Sequence, residues 1–157
     1  MTQIHISLDL ETWGTTPGSD IRSIGACVFD PLTGFVAGAD APALPANQFY
    51  IACDNPIIAY IGDSPHAYKY NALTRDPRTV QWWSEQSDEA QAAFADPVDL
   101  REALTAFGKW LYALVDTAWY PDHHLHGVNI RLWSHGAAFD PPILAAAYDA
   151  VGLPVPW

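Results

Sequence analysis

Basic side chains are scarce in this sequence: seven Lys and Arg stand against eighteen Asp and Glu in 157 residues, a formal net charge of -11. That balance excludes a protein that grips nucleic acid by broad electrostatic attraction, which needs clustered cations to neutralise phosphates. Cysteine is nearly absent. With Cys27 and Cys53 alone, and no C-x-x-C spacing, neither a zinc knuckle nor a disulfide framework is indicated, and buried reduced thiols are expected. No run approaches the roughly 18 to 20 apolar residues of a membrane span. The N-terminal Met1, Thr2, Gln3 and Ile4 lack the basic-then-apolar pattern of a secretory signal, so a soluble, cytoplasmic protein is expected. Half of the residues are hydrophobic and 16% are charged, which excludes disorder, and the length suits one domain spanning residues 1–157.

What is present near the start is an apolar run, Ile4, His5, Ile6, Ser7 and Leu8, that leads into D-L-E-T at residues 9–12. In an extended segment residues i and i+2 point to the same side, about 7 Å apart along the backbone, so Asp9 and Glu11 can converge on one point. Two acids so placed suit a cation. A carboxylate-bound divalent metal also bridges acidic side chains to phosphate oxygens, so the negative charge of the chain is compatible with a phosphate substrate held locally. A D-x-E pair alone is common and more often sits on a solvated face.

The order of elements reads as strands, helices, strand, helix, an α/β domain. After the turn at residues 13–19, rich in Gly and Pro, a β-rich segment at 21–29 precedes a turn at 30–34 that resembles a hairpin signal, with further strands expected at 35–37 and 48–52. Residues 54–74 show no period and are expected to form an irregular connection. Asp76-Pro77 predicts the start of a short helix through Trp82, Trp83 and Glu85, Ser87 the start of a second, and Asp96-Pro97 the start of a third. In that third helix Leu100, Leu104, Phe107, Leu111 and Leu114 recur at threes and fours, one stripe for packing on a sheet. His123, His124 and His126 gather in a polar stretch whose spacing fixes no tetrahedron, and they are left out of the site. Residues 129–134 read as a strand, and Phe139-Asp140-Pro141 opens a last helix that ends near Gly152. Asp140 thus falls at a strand-to-helix junction, where ligands commonly gather.

D-L-E-T early and W-S-H-G-A-A-F-D at 133–140 together resemble the first two motifs of the DnaQ-like 3'-5' exonucleases, which share a ribonuclease-H-like fold. S-I-G-A-C-V-F-D-P at 23–31, T-V-Q-W-W-S-E-Q-S at 79–87 and I-L-A-A-A-Y at 143–148 are similar to a phage and bacterial branch that includes exonucleases of DNA and exoribonucleases of RNA. The resemblance implies a mixed sheet with helices packed on it. It further implies hydrolysis of phosphodiester bonds from a single-stranded DNA or RNA 3' end, with release of 5'-mononucleotides. Asp9, Glu11 and Asp140 become the catalytic metal ligands for two Mg2+ or Mn2+ ions about 3.5 to 4 Å apart. Thr12, through its nearby backbone, and the rings of Trp13 and Phe139 become candidate contacts to the terminal nucleotide, with core packing as the competing role for both rings. Core packing is expected for Trp82 and for Trp83, since adjacent helical residues diverge by about 100° and at most one faces a site. His135 orients the site or caps the strand exit and is not the base.

The family's third motif, H-x-x-x-x-D or a Tyr variant, has no counterpart after Asp140 in a chain that closes at Trp157. The expectation is a C-terminally incomplete enzyme or a natural short form, weakly active or inactive alone, because a missing general base removes a factor of about 10² to 10⁴. An uncovered sheet face would then call for a homo-oligomer or a partner chain. The competing function is a nucleic-acid-binding or assembly module on an exonuclease scaffold.

Overall fold

The computed structural model describes residues 2–36, 46–55, 73–117 and 128–157. Among them run β1 (Thr2–Thr12), β2 (Ile21–Val28), β3 (Gln48–Asp54), α1 (Pro77–Ser84), α2 (Asp88–Ala92), β4 (Val98–Asp99), α3 (Leu100–Thr117), β5 (Val128–Trp133) and α4 (Asp140–Ala150). The sheet order is β4-β3-β2-β1-β5. Strands β1, β2 and β3 form an antiparallel meander, whereas β5 lies parallel to β1 and β4 parallel to β3. A mixed five-stranded sheet with helices is the α/β architecture expected of a ribonuclease-H-like domain.

The period of two along β1 decides which side chains are buried. Ile4, Ile6, Leu8 and Leu10 enter the core, while Asp9 is exposed and Glu11 half-buried on the other face. Onto the apolar face pack the predicted stripe of α3, with Leu100, Leu104, Phe107 and Leu111 buried, and Ile143, Leu144, Ala147 and Tyr148 of α4. Each such Leu, Ile or Phe contributes roughly 1.5 to 3 kcal/mol by leaving water. The Tyr148 hydroxyl donates to the Leu104 carbonyl at 2.7 Å, tying α4 to α3. Gly152, at φ 67°, takes the left-handed turn that ends the last helix, as its position predicted.

Two local expectations fail. No strand forms at Phe35 and Val36: the Asp30 N–H donates to the Phe35 carbonyl at 3.0 Å and closes a short loop, and β2 takes β3 as its partner instead. Residue 37 lies outside the described residues. The third helix begins at Leu100 rather than after Asp96-Pro97, because Val98 and Asp99 first add a short edge strand beside Cys53 and Asp54. The Asp99 carboxylate then accepts the Arg101 N–H at 2.8 Å and opens the helix. Cys53 is buried and Cys27 half-buried, both as free thiols, and burial pushes the Cys53 thiol up to about 12. The three histidines at 123, 124 and 126, and residues 56–72 of the irregular connection, lie outside the described residues.

Candidate active site

Strand β5 stops pairing with β1 at Ser7, where Trp133 is the last partner. Beyond that point the edge of β1 no longer has a strand to bond, and the chain returns through residues 134–139 to start α4. There the Asp140 carboxylate Oδ1 accepts the Leu10 N–H at 3.0 Å in a buried contact between residues 130 apart in sequence. The third acid of the predicted set is thereby fastened to the backbone between Asp9 and Glu11. A bulge between Glu11 and Thr12 ends the regular ladder at the same place, a common device for re-aiming side chains next to active sites.

The charges of these acids act on one another. Burial, and then the neighbouring Asp9 charge, hold the Glu11 carboxyl above the usual carboxylate range; the Arg22 guanidinium opposes this and Asp140 adds to it. Burial likewise raises Asp140, with the Leu10 N–H pulling down and Asp9 pushing up. An all-oxygen, mutually repelling donor set is what a hard divalent cation such as Mg2+ or Mn2+ takes. Among the described residues, however, no three Asp, Glu, His or Cys side chains already stand as a metal cage. The donor chemistry fits the ion while the carboxylates do not yet meet at one point.

Beside the acids opens a cleft of about 400 Å³ whose walls include Glu11, Thr12, Gly14, Arg78, Trp82 and Phe139. Thr12 and Phe139 are therefore brought to the cavity as candidate contacts. Thr12 is engaged within the protein: its hydroxyl donates to the Gly14 carbonyl at 2.5 Å and its own carbonyl accepts the Trp83 indole N–H at 2.9 Å. Trp13 is placed elsewhere, its ring between the guanidinium groups of Arg22 and Arg75 at 4.8 and 4.7 Å. The structure does not bring Trp13 to the wall of this cleft.

Of the adjacent tryptophans, Trp83 is buried as expected, but Trp82 is 52% exposed and lines the cavity, so core packing does not hold for it. Arg22 stacks over Trp13, Trp83 and Phe94, closest to Phe94 at 3.8 Å, and donates to Gln91 at 2.5 Å. Nothing in the linear order announces that cage, since its members come from separate parts of the chain. Arg78 and Trp82 had a readable signal in their spacing of four on one helix face. His135 is exposed at the exit of β5.

The model of the Rv2179c-like 3'-5' exoribonuclease domain matches residues 4–157. The chain belongs to the Rv2179c-like 3'-5' exoribonuclease domain family. No curated protein matches it. The matched span of this Rv2179c-like domain takes in both acidic segments, the helices α1 and α4 that flank the cleft, and the whole five-stranded sheet except its first residues. A nucleic-acid substrate follows from the family. Among the described residues of the Rv2179c-like domain, no helix is long and apolar enough to cross a membrane.

Proposed function

We propose that this domain hydrolyses phosphodiester bonds from the 3' end of RNA and releases 5'-mononucleotides, with Asp9, Glu11 and Asp140 as the ligands of catalytic metal. The observation that carries the reading is the seating of the Asp140 carboxylate on the Leu10 N–H, between the two other acids and beside an open cleft. Two Mg2+ or Mn2+ ions, when bound, would supply a deprotonated attacking water and stabilise the charge on the phosphate and leaving oxygen. The chain itself orients the scissile end. Asp140 is held in place by the backbone, Glu11 lines the cleft, and Phe139, at the start of α4, flanks the place where the terminal nucleotide would lie. In the reaction the water oxygen forms a bond to phosphorus, the bond to the 3'-oxygen breaks, and the proton lost from water is balanced by one gained on the new 3'-hydroxyl.

A second reading, a binding or assembly module with impaired catalysis, is favoured by the lack of a ready metal cage among the described residues. Titration with Mn2+ in a calorimeter, together with cleavage of 5'-labelled RNA and DNA strands, separates the two. The hydrolase reading expects saturable Mn2+ binding and a ladder shortening from the 3' end, RNA preferred, with both lost in Asp9→Ala. Strand binding without Mn2+ binding or cleavage leaves the module.

A further inference from the structure

The cleft wall carries two side chains that the carboxylate chemistry does not use. Trp82 leaves 52% of itself exposed while Trp83 next to it is exposed by 6%. Burial of Trp83 explains the direction of its neighbour, because successive helical residues point about 100° apart. The Trp83 indole N–H is locked onto the Thr12 carbonyl at 2.9 Å, and the Trp82 ring stands edge-on against Trp83 with centroids 4.7 Å apart. The Gln86 side-chain amide also donates to the Trp82 carbonyl at 2.8 Å. Helix α1 is therefore pinned to the residue after Glu11, and the Trp82 ring is held in the cavity rather than left free on a surface.

Arg78 lies one turn before Trp82, on the same helix face and in the same cleft. Two other arginines near this end of the sheet are committed: Arg75 pairs with Asp20 at 2.9 Å and Asp54 at 2.6 Å, and Arg22 sits in its aromatic cage. Among the described residues no carboxylate pairs with the Arg78 guanidinium. A guanidinium without a carboxylate partner among the described residues, beside an exposed indole, offers an anion contact and a stacking surface side by side, the two contacts that suit a single nucleic-acid strand.

We propose that Trp82 and Arg78 form the strand platform of this domain, the indole stacking a base near the 3' end and the guanidinium holding a phosphate of the same strand. The proposal rests on the hydrolase reading only in placing the 3' end toward the acids. An unpaired 3' end can lie on Trp82 directly, whereas a base already paired and stacked must first leave its helix.

Fluorescence anisotropy of a labelled single-stranded oligonucleotide, measured in EDTA, tests the platform without any cleavage. Trp82→Ala is expected to weaken binding roughly 5- to 150-fold, the range for losing one base–aromatic stack, while Trp82→Phe stays within about threefold. In cleavage assays the same loss should appear in KM, with kcat little changed. Arg78→Gln should reduce the slope of log affinity against log salt by about one, which keeps the platform testable should Trp82→Ala fold poorly. Unchanged binding in Trp82→Ala with cleavage intact overturns the platform and leaves the hydrolase reading standing. Trp82-dependent binding without any cleavage supports the platform and removes the hydrolase reading. Absence of strand binding by the unaltered chain, or equal binding of blunt duplex, also overturns the platform.

Discussion

Replacing Asp140 by Asn and by Ala separates two roles of one carboxylate, an acceptor for the fold and a charge for the site. Asp140 is 4% exposed and its Oδ1 lies 3.0 Å from the Leu10 nitrogen. Alanine leaves that buried N–H without an acceptor, a loss of about 1 to 3 kcal/mol. Asparagine keeps an oxygen in place and removes only the charge. Burial first, and then the Asp9 charge, hold the Asp140 carboxyl above its ordinary value of 3.8, so the folded protein binds the proton more tightly than the unfolded chain. The sign follows from linkage: the penalty is absent below the unfolded value and complete once the pH exceeds the folded one. The unaltered protein should therefore lose stability relative to Asp140→Asn as the pH rises from about 3.5 to 7. Asp140→Ala should show its largest deficit at the acid end, where no charge relief offsets the lost acceptor. Thermal denaturation in EDTA, followed by far-UV circular dichroism, reads both effects. With about 2 to 4 °C per kcal/mol for a protein of this size, alanine should melt roughly 2 to 12 °C low at acid pH. A gap between the unaltered protein and Asp140→Asn that ignores pH, or an asparagine variant that melts with the alanine one throughout, refutes the reasoning.

Trp83→Ala removes a buried ring together with the indole bond to Thr12 and should lower stability by about 3 to 5 kcal/mol, with denaturant unfolding as the measurement; Trp83→Phe should lose only part of that. Arg75→Ala strips the partner from Asp20, which is 2% exposed, while its contact to the exposed Asp54 counts for little. Asp20 keeps the Ile21 N–H at 3.0 Å, so a loss of about 1 to 3 kcal/mol is expected at neutral pH, read by the same denaturant titration. Burial already holds the Asp20 carboxyl high even with Arg75 beside it, so that loss should shrink as acid protonates Asp20, and a loss that grows in acid would contradict the pairing.

Periodicity carried most of the fold. The alternation of β1 and the stripe from Leu100 to Leu111 report burial directly, because a strand or helix must put its apolar side somewhere, and both did so against each other. The start of α3 is not legible in local sequence because a two-residue edge strand depends on a partner, Cys53 and Asp54, that lies far upstream in the chain. The same reason hid the Arg22 cage. For the acids, Asp9 and Glu11 were legible as a pair and Asp140 through its junction, yet neither pattern contained the bond to Leu10 that joins them. That bond exists because β5 ends early, a property of register rather than of local composition.

The adjacent tryptophans show what spacing can and cannot decide. Helical geometry requires that Trp82 and Trp83 diverge, so one buried ring forces the other outward. Which one is buried depends on a carbonyl 71 residues away, that of Thr12, and on the Phe94 ring that packs edge-on against Trp83 at 5.1 Å. Because Thr12 directly follows Glu11, the bond that selects Trp83 also sets the distance between the cleft wall and the acids. A change that loosens Trp83 must therefore disturb the position of Trp82 relative to the carboxylates, even though the Trp83 ring is itself almost wholly buried. Stability and the placing of the cleft wall are coupled through that indole, whereas Trp82, 52% exposed, carries less of the fold.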